Sequence, residues 1–337
     1  MKFIRSLAGA ALAVAVAFAA AAEAQPTTLR IDGAFVAEHT SSKAMEIFKT
    51  EAARLSGGSI EVEVVPQKLG DGVREIIEDV RAGRIFAIWI GVANMSRLVP
   101  EVGAVTLPFV FDNYDQVMHA VGGPAGTSIE AKLGAKGFTA LAWMQLGARN
   151  VTNSRRPLRT LDDFKGLKIR LQPNETHVAT FRAIGANPVA MELKDLYAAL
   201  RQGDIDGHEN PYSIIHDYGF FENQRYLSDS GHFLDLIVFV ANKKAFGNLE
   251  LKQQKAIREA AAIAAAQQRK MATAAELAAL AGLKDKGMQF DSLPAGTRAA
   301  LRQATAGVID DVRKRVGTEL VDQVLAAAKG AGKSGNR

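Results

Sequence analysis

Apolar positions along the chain switch repeatedly between a period of two and a period near 3.6. TTLRIDGAF, from Thr27 to Phe35, alternates in the manner of a strand. A helix follows, with Thr40, Ser41 or Ser42 able to cap it and Met45, Phe48, Ala52 and Leu55 on one face, stopped by Gly57-Gly58. SIEVEVVP is a second strand, ended by Pro66. After the loop LGDG comes a helix carrying Val73, Ile76, Ile77 and Val80, halted by Gly83, and then RIFAIWIG, from Arg84 to Gly91, which reads as a buried strand. Strand, helix, strand, helix, strand predicts α/β layering.

The pattern resumes at 138–153 with two extended pieces, FTALAWM and ARNVTN. PLRTLDDFKG is a turn with a short capped helix, LKIRLQP a strand, and 174–184 a helix with Val178, Phe181 and Ile184 aligned. Short strands at 188–191 and 204–207 flank a helix over 193–201 that ends at Gly203. These pieces make a second α/β unit. HFLDLIVFVAN, 232–242, is the longest strand candidate. From 249 to 286 the chain has no Pro and no Gly apart from Gly282, and it is packed with Ala, Leu, Glu, Gln and Lys. As one helix it would be about 55 Å long at 1.5 Å per residue. A unit of ~150 residues has a radius of gyration near 15 Å, so the helix must overrun one unit and touch the other, or kink. A coiled coil is the alternative, but the apolar residues there are mostly alanine and keep no heptad.

Length and composition sharpen this picture. A chain of 337 residues suits two domains, and its 48% hydrophobic content is that of a globular protein. With no cysteine, disulfides, thiol catalysis and zinc–thiolate sites are excluded. Lys2 and Arg5 precede an apolar run from Leu7 to Ala22, closed by Ala22-Glu23-Ala24. That is the layout of a secretory signal over 1–24, cleaved near Ala24. A membrane anchor is the other reading, but the run of about 16 residues falls short of the roughly 20 that span a bilayer. The mature protein is then expected outside the cytoplasm, in the periplasm. The net charge of +5 is partly the signal's own, and basic residues do not cluster with aromatics, which argues against nucleic acid as a partner. The tail GAGKSGNR reads as flexible.

Catalytic signatures are missing. The six histidines never fall four apart, and there is no HExxH, no GxSxG and no P-loop. No metal and no cofactor is expected. What remains is Arg149 to Pro173, with Asp206 to Pro211 after it. Arg170 lies within LKIRL, so Ile169 and Leu171 point to one face and Arg170 to the other. If that face is a cleft, a guanidinium waits there whose planar fork matches a carboxylate. Equally, Arg170 is an exposed edge-strand residue, or is paired with a nearby acid. Arg149 carries the same ambiguity. Asn210 precedes Pro211 and reads either as a plain N-cap or as an amide at an anion-favouring helix start.

TNSRRPL…DFKGLKIR and DGHENP resemble signatures of the DctP-type solute-binding proteins of TRAP (tripartite ATP-independent periplasmic) transporters. So do PQKLGDG…REIIEDVRAG, AVTLPFVFDNYDQ and SGHFLDLIVFVANKKAF, in family order from about residue 28 to 290. The resemblance implies a two-lobed α/β periplasmic-binding-protein fold with mixed sheets flanked by helices and a long helix bridging both lobes. The expected division is 25–147 with 236–275 in one lobe and 148–235 with 276–330 in the other, then a tail over 331–337. It implies Arg170 as the main salt bridge to a ligand carboxylate, assisted by Arg149 and Asn210. Less strictly, it implies contacts from Phe35 to Glu38, from Trp89, Gly91 and Asn94, from Gln172, and from Met191 to Leu193. Where relatives often carry Gln, this chain has His208, which either faces the cleft or is satisfied in a lobe core. The ligand is expected to be a small organic acid. It is either a dicarboxylate clamped by two arginines, or a monocarboxylate whose apolar body meets Trp89 and Met191. Expected partners are the small and large membrane subunits of an ion-driven transporter, and the protein is expected to be a monomer. The rival readings are a binding protein of an ABC-type importer and an exported enzyme acting on a small organic acid.

Overall fold

The computed structural model describes residues 25–67 and 72–330. The expected signal segment and the 331–337 tail lie outside the described residues. In chain order come β1 (Thr27–Gly33), α1 (Thr40–Ser56), β2 (Ile60–Val65), α2 (Val73–Ala82), β3 (Ala87–Gly91) and α3 (Val92–Met95). Next are α4 (Tyr114–Val121), α5 (Pro124–Ala135), β4 (Phe138–Asn153), β5 (Lys168–Leu171), α6 (Glu175–Ala183), β6 (Asn187–Ala190), α7 (Leu193–Gln202), β7 (Gly207–Asn210) and α8 (Tyr212–Asp217). The rest is β8 (Tyr226–Asn242), α9 (Lys243–Gly247), α10 (Leu251–Asp285), β9 (Gln289–Ser292), α11 (Ala295–Ala304), α12 (Ala306–Val316) and α13 (Thr318–Gly330).

Among the described residues the strands run β2-β1-β3-β8-β4-β7-β5-β6, with β9 on β8. β4 and β8 pair antiparallel along nearly their whole length. β3 joins β8 over Val238 and its neighbours, leading to the parallel β1 and β2. At the other end β7 joins β4 over 150–153, leading to the parallel β5 and β6. Two α/β halves thus hang on two shared strands, which is the two-lobed mixed α/β fold. Helices cover the sheet, so β3 is buried at every position and tolerates its unbroken apolar run.

Several expectations shift. The two extended pieces at 138–153 are one strand, with register breaks at Ala140/Ala142, Gln145/Gly147 and Arg149/Val151. Gly147, at φ 142°, looks like a breaker in sequence but forms one of these bulges. The longest strand begins six residues earlier than expected, at Tyr226. The short strand expected over 204–207 lies at Gly207–Asn210. α1 is capped not by a hydroxyl but by His39, whose Nδ1 accepts from the Ser41 N–H at 3.2 Å. The long helix is continuous over 35 residues, about 52 Å at 1.5 Å per residue. Ala256, Ala260, Ala261, Ala264 and Ala265 are buried, and their small size lets α10 lie close on α1. Gln268 grips the β4 backbone at Gln145 in both directions, at 2.9 and 2.7 Å. Glu276 accepts from the first N–H groups of the α8 segment, Tyr212 at 3.1 Å and Ser213 at 3.0 Å. One helix therefore holds the crossing strand and an element beyond it. The expected grouping of 276–330 with 148–235 divides. Leu293 and Leu301 pack with Ile169 and Phe181, whereas α13 lies on α4 and α5, with Ser128 Oγ 3.0 Å from Gln323 Oε1.

Candidate ligand-binding cleft

Sheet order decides where the charges meet. β8, β4 and β7 are adjacent, and they bring Asp235, Arg149 and Glu209 together, all fully buried. Nε of Arg149 donates to Glu209 Oε2, Nη1 to Asp235 at 2.9 Å, and Nη2 to Glu209 Oε1 at 2.8 Å and Asn210 Oδ1 at 3.0 Å. The Gln172 amide oxygen, turned toward these donors, accepts from Nη1 at 2.7 Å and Nη2 at 3.0 Å. Every N–H of Arg149 therefore has an acceptor within the protein. Glu209 also receives His232 Nε2 at 3.0 Å, which fixes the neutral tautomer with Nδ1 toward Ser230 Oγ. Burial alone would raise Glu209, but Arg149 and these hydrogen bonds hold it far below the usual carboxylate range. Burial pushes Asp235 up, against the attraction of Arg149.

Arg170 is different. Its side chain is 1% exposed, and Nε donates to the carbonyl of Met191 at 2.8 Å. Nη1 is buried without a hydrogen-bond partner among the described residues, and no carboxylate forms a salt bridge with the group there. Burial pushes this guanidinium down to about 10, partly opposed by Glu209, so it still carries its charge at neutral pH. A buried cation without a salt-bridge partner is costly, and an anion placed against it offsets that cost.

A cavity opens in front of it, with about 570 Å³ of space free of atoms, some of it open to solvent. Its wall takes Phe35, Gly91, Asn94, Arg149, Arg170, Gln172, Leu193 and Asn210, all expected from the sequence or the resemblance. It also takes Glu192, inside the expected 191–193 stretch, and Ala34, Val73, Leu146, Pro173 and Ile214, which were not expected. The elements contributing to it belong to both halves of the sheet, so the cavity lies between the lobes.

Three expected contacts fall elsewhere. Trp89 is wholly buried in the core, its indole filling the space that a Cβ at Gly33 would need, so it does not reach the cleft. Glu38 is exposed in the turn before α1 and is not part of the wall. Met191 contributes its carbonyl to Arg170, while its side chain packs against the core. Arg149 reaches the wall, but its donors face inward, so it orients its neighbours and has none left for a second carboxylate. Asn210 does not cap α8, whose cap position is Pro211. Its amide instead joins Arg149 to Nδ1 of His208 at 3.0 Å. His208 is buried edge-on against Phe220 and outside the cavity wall, and burial pushes it down to about 3. Its Nε2 has no partner among the described residues, so the core only half satisfies it.

A buried cation faces a cavity between two lobes that share crossing strands, and that two-lobed architecture is the one solute-binding proteins have. The chain belongs to the bacterial extracellular solute-binding protein family 7, DctP, whose model matches residues 34–315. It is 30% identical over 308 residues to a solute-binding protein of Verminephrobacter eiseniae, covering 91% of each chain. It is 28% identical over 328 residues to the C4-dicarboxylate-binding periplasmic protein DctP of Rhodobacter capsulatus, covering 97% of this chain and 98% of that one. Among solved structures it resembles the sugar acid binding protein DctPAm from Advenella mimigardefordensis in complex with galactonate. The TM-score is 0.86 at 33% identity, over 91% of this chain and 99% of the other.

Proposed function

We propose that this protein captures a small organic acid in the periplasm and delivers it to the membrane subunits of a TRAP-type transporter, without catalysing a reaction. The observation that carries this reading is Arg170, buried at the wall of an interlobe cavity with no acid of its own. An incoming carboxylate supplies two parallel hydrogen bonds and the missing charge at once. The neighbouring proteins support the ligand class: one is named for C4-dicarboxylates and another was crystallised with galactonate.

The lobes close on the ligand by bending at β4 and β8, near the bulge at Gln145/Gly147, while α10 keeps its hold on both sides. Closure is favoured because the closed form pairs a charge that the empty cleft leaves unpaired. In this division one lobe holds 25–147 with 236–275, and the other holds 148–235 with β9 and α11.

Titration calorimetry with a panel of organic acids tests the anchor. Arg170→Ala should weaken binding of the best ligand at least about a hundredfold, since breaking a buried ion pair costs roughly 3–5 kcal/mol. Arg170→Lys should rescue little, because a point charge cannot make the paired hydrogen bonds. Wild-type affinity in Arg170→Ala would end this reading.

A further inference from the structure

We infer that Glu192 is the specificity residue of the cleft and, held by Arg97, makes it select polyhydroxylated monocarboxylates over dicarboxylates. The inference rests on the reading of Arg170 as the carboxylate anchor and asks what the rest of the ligand must be.

The charged groups among the described wall residues are Arg149, Arg170 and Glu192. Arg149 is spent on Glu209, Asp235, Gln172 and Asn210. One cation is left, enough for one carboxylate. Glu192 follows Met191, the residue whose carbonyl holds Arg170 Nε at 2.8 Å, so anchor and acid share one stretch of wall. Glu192 sits at the cap position of α7, yet its side chain makes no capping bond there. It reaches instead to Arg97, which follows α3 in the opposite half, with Oε1 2.8 Å from Nη1. Asn174 makes a second link across the same gap, its Nδ2 lying 2.8 Å from Ser96 Oγ. Glu192 is therefore fixed in place when the two halves meet.

Its other oxygen, Oε2, has no donor among the described residues. A carboxylate only accepts hydrogen bonds. A ligand hydroxyl can donate to it, whereas a second ligand carboxylate would meet like charge in a partly dewatered space. The amides around it complete a polyol site. Gln172 turns its oxygen to Arg149 and keeps its NH₂ group for the ligand. Asn210 uses one amide hydrogen on His208 and keeps the other, and Asn94 can both donate and accept. Phe35, Leu146, Leu193 and Ile214 supply apolar surface for the C–H faces of a carbon chain.

Calorimetry on the full mature protein, wild type and Glu192→Gln, tests this. The probes are galactonate, gluconate, glucuronate and galacturonate against succinate, malate and fumarate. In wild type the best hydroxylated monocarboxylate should bind at least about tenfold tighter than the best dicarboxylate, the worth of one charge-assisted hydrogen bond. Glu192→Gln should lose about tenfold for the hydroxylated acid and lose nothing, or gain, for the dicarboxylates, so that the ratio collapses. The change is isosteric at a half-exposed position, so an unchanged melting temperature will show that the variant is folded. A wild type that prefers dicarboxylates, or a variant that keeps the wild-type ratio, overturns the role of Glu192 and leaves the Arg170 anchor standing. Binding of none of the seven acids overturns the anchor and this inference together.

Discussion

Four charged side chains lie buried within the crossing region, and their arrangement separates scaffold from site. Arg149, Glu209 and Asp235 satisfy one another, whereas Arg170 has only a carbonyl. Around them sit histidines that burial keeps neutral. His177, stacked on Phe233 with ring centroids 4.2 Å apart, has neither ring nitrogen hydrogen-bonded among the described residues, and burial pushes it down to about 3 from 6.5. His39 and His208 are shifted in the same direction. A group whose pKa is lower in the folded state binds its proton first in the unfolded one. The contribution is therefore complete above about 6.5 and is lost as pH falls toward about 3. Thermal melts between pH 4 and 8 should show stability falling on the acid side. His177→Phe should shallow that limb and leave the melting temperature at neutral pH unchanged or higher, because it removes two unpartnered nitrogens and keeps the stack. A limb equally steep in the variant would place the loss elsewhere. At this scale the sequence offered Arg170 as a charge inside a strand. It assigned no role to Glu209 or Asp235, which matter through partners 60 and 86 positions away. A buried acid is recognisable only once burial is known.

Among elements, β4 carries the most information. In sequence it reads as two strands because glycine and polar residues interrupt it. In the fold it is one strand whose irregularities bend it between the lobes. Gly147 is needed there: its φ of 142° disfavours any side chain, and an added Cβ would lie 2.5 Å from Pro211 Cβ. Gly147→Ala should destabilise by roughly 1–3 kcal/mol and weaken ligand binding along with it, read from urea unfolding and calorimetry on the same sample. Loss of stability with intact affinity would confine Gly147 to folding. The long helix was legible because alanine and long polar side chains favour helix at every turn. What it spans was expected from its length and from the family resemblance, while its grips at Gln268 and Glu276 came from the structure. Asn210 shows the opposite case. A sound local rule made it a cap, but β7 pairs with β4 and the amide is drawn to Arg149 instead.

For the whole molecule the decisive property is that the cavity belongs to neither half alone. An acid that binds there stabilises both halves and the closed arrangement. At ~100 times its dissociation constant it should add roughly 2.7 kcal/mol to stability, visible as a rise of several degrees in melting temperature. Solution scattering should show the radius of gyration falling on ligand addition. Arg170→Ala should show neither response at the same acid concentration. A rise in melting temperature with unchanged scattering would mean that the cleft is closed before the ligand arrives.

The sequence by itself determined the local alphabet: the α/β alternation, the long alanine-rich helix and an arginine set inside a strand. These follow from periodicity, propensity and charge, which act over a few residues. Only the tertiary structure decided which arginine is free and which is neutralised, that Trp89 belongs to the core, and that Glu192 faces Arg97 across the cleft. Those outcomes depend on which strands become neighbours and on how deeply each charge is withdrawn from water, and both are set by contacts between distant parts of the chain.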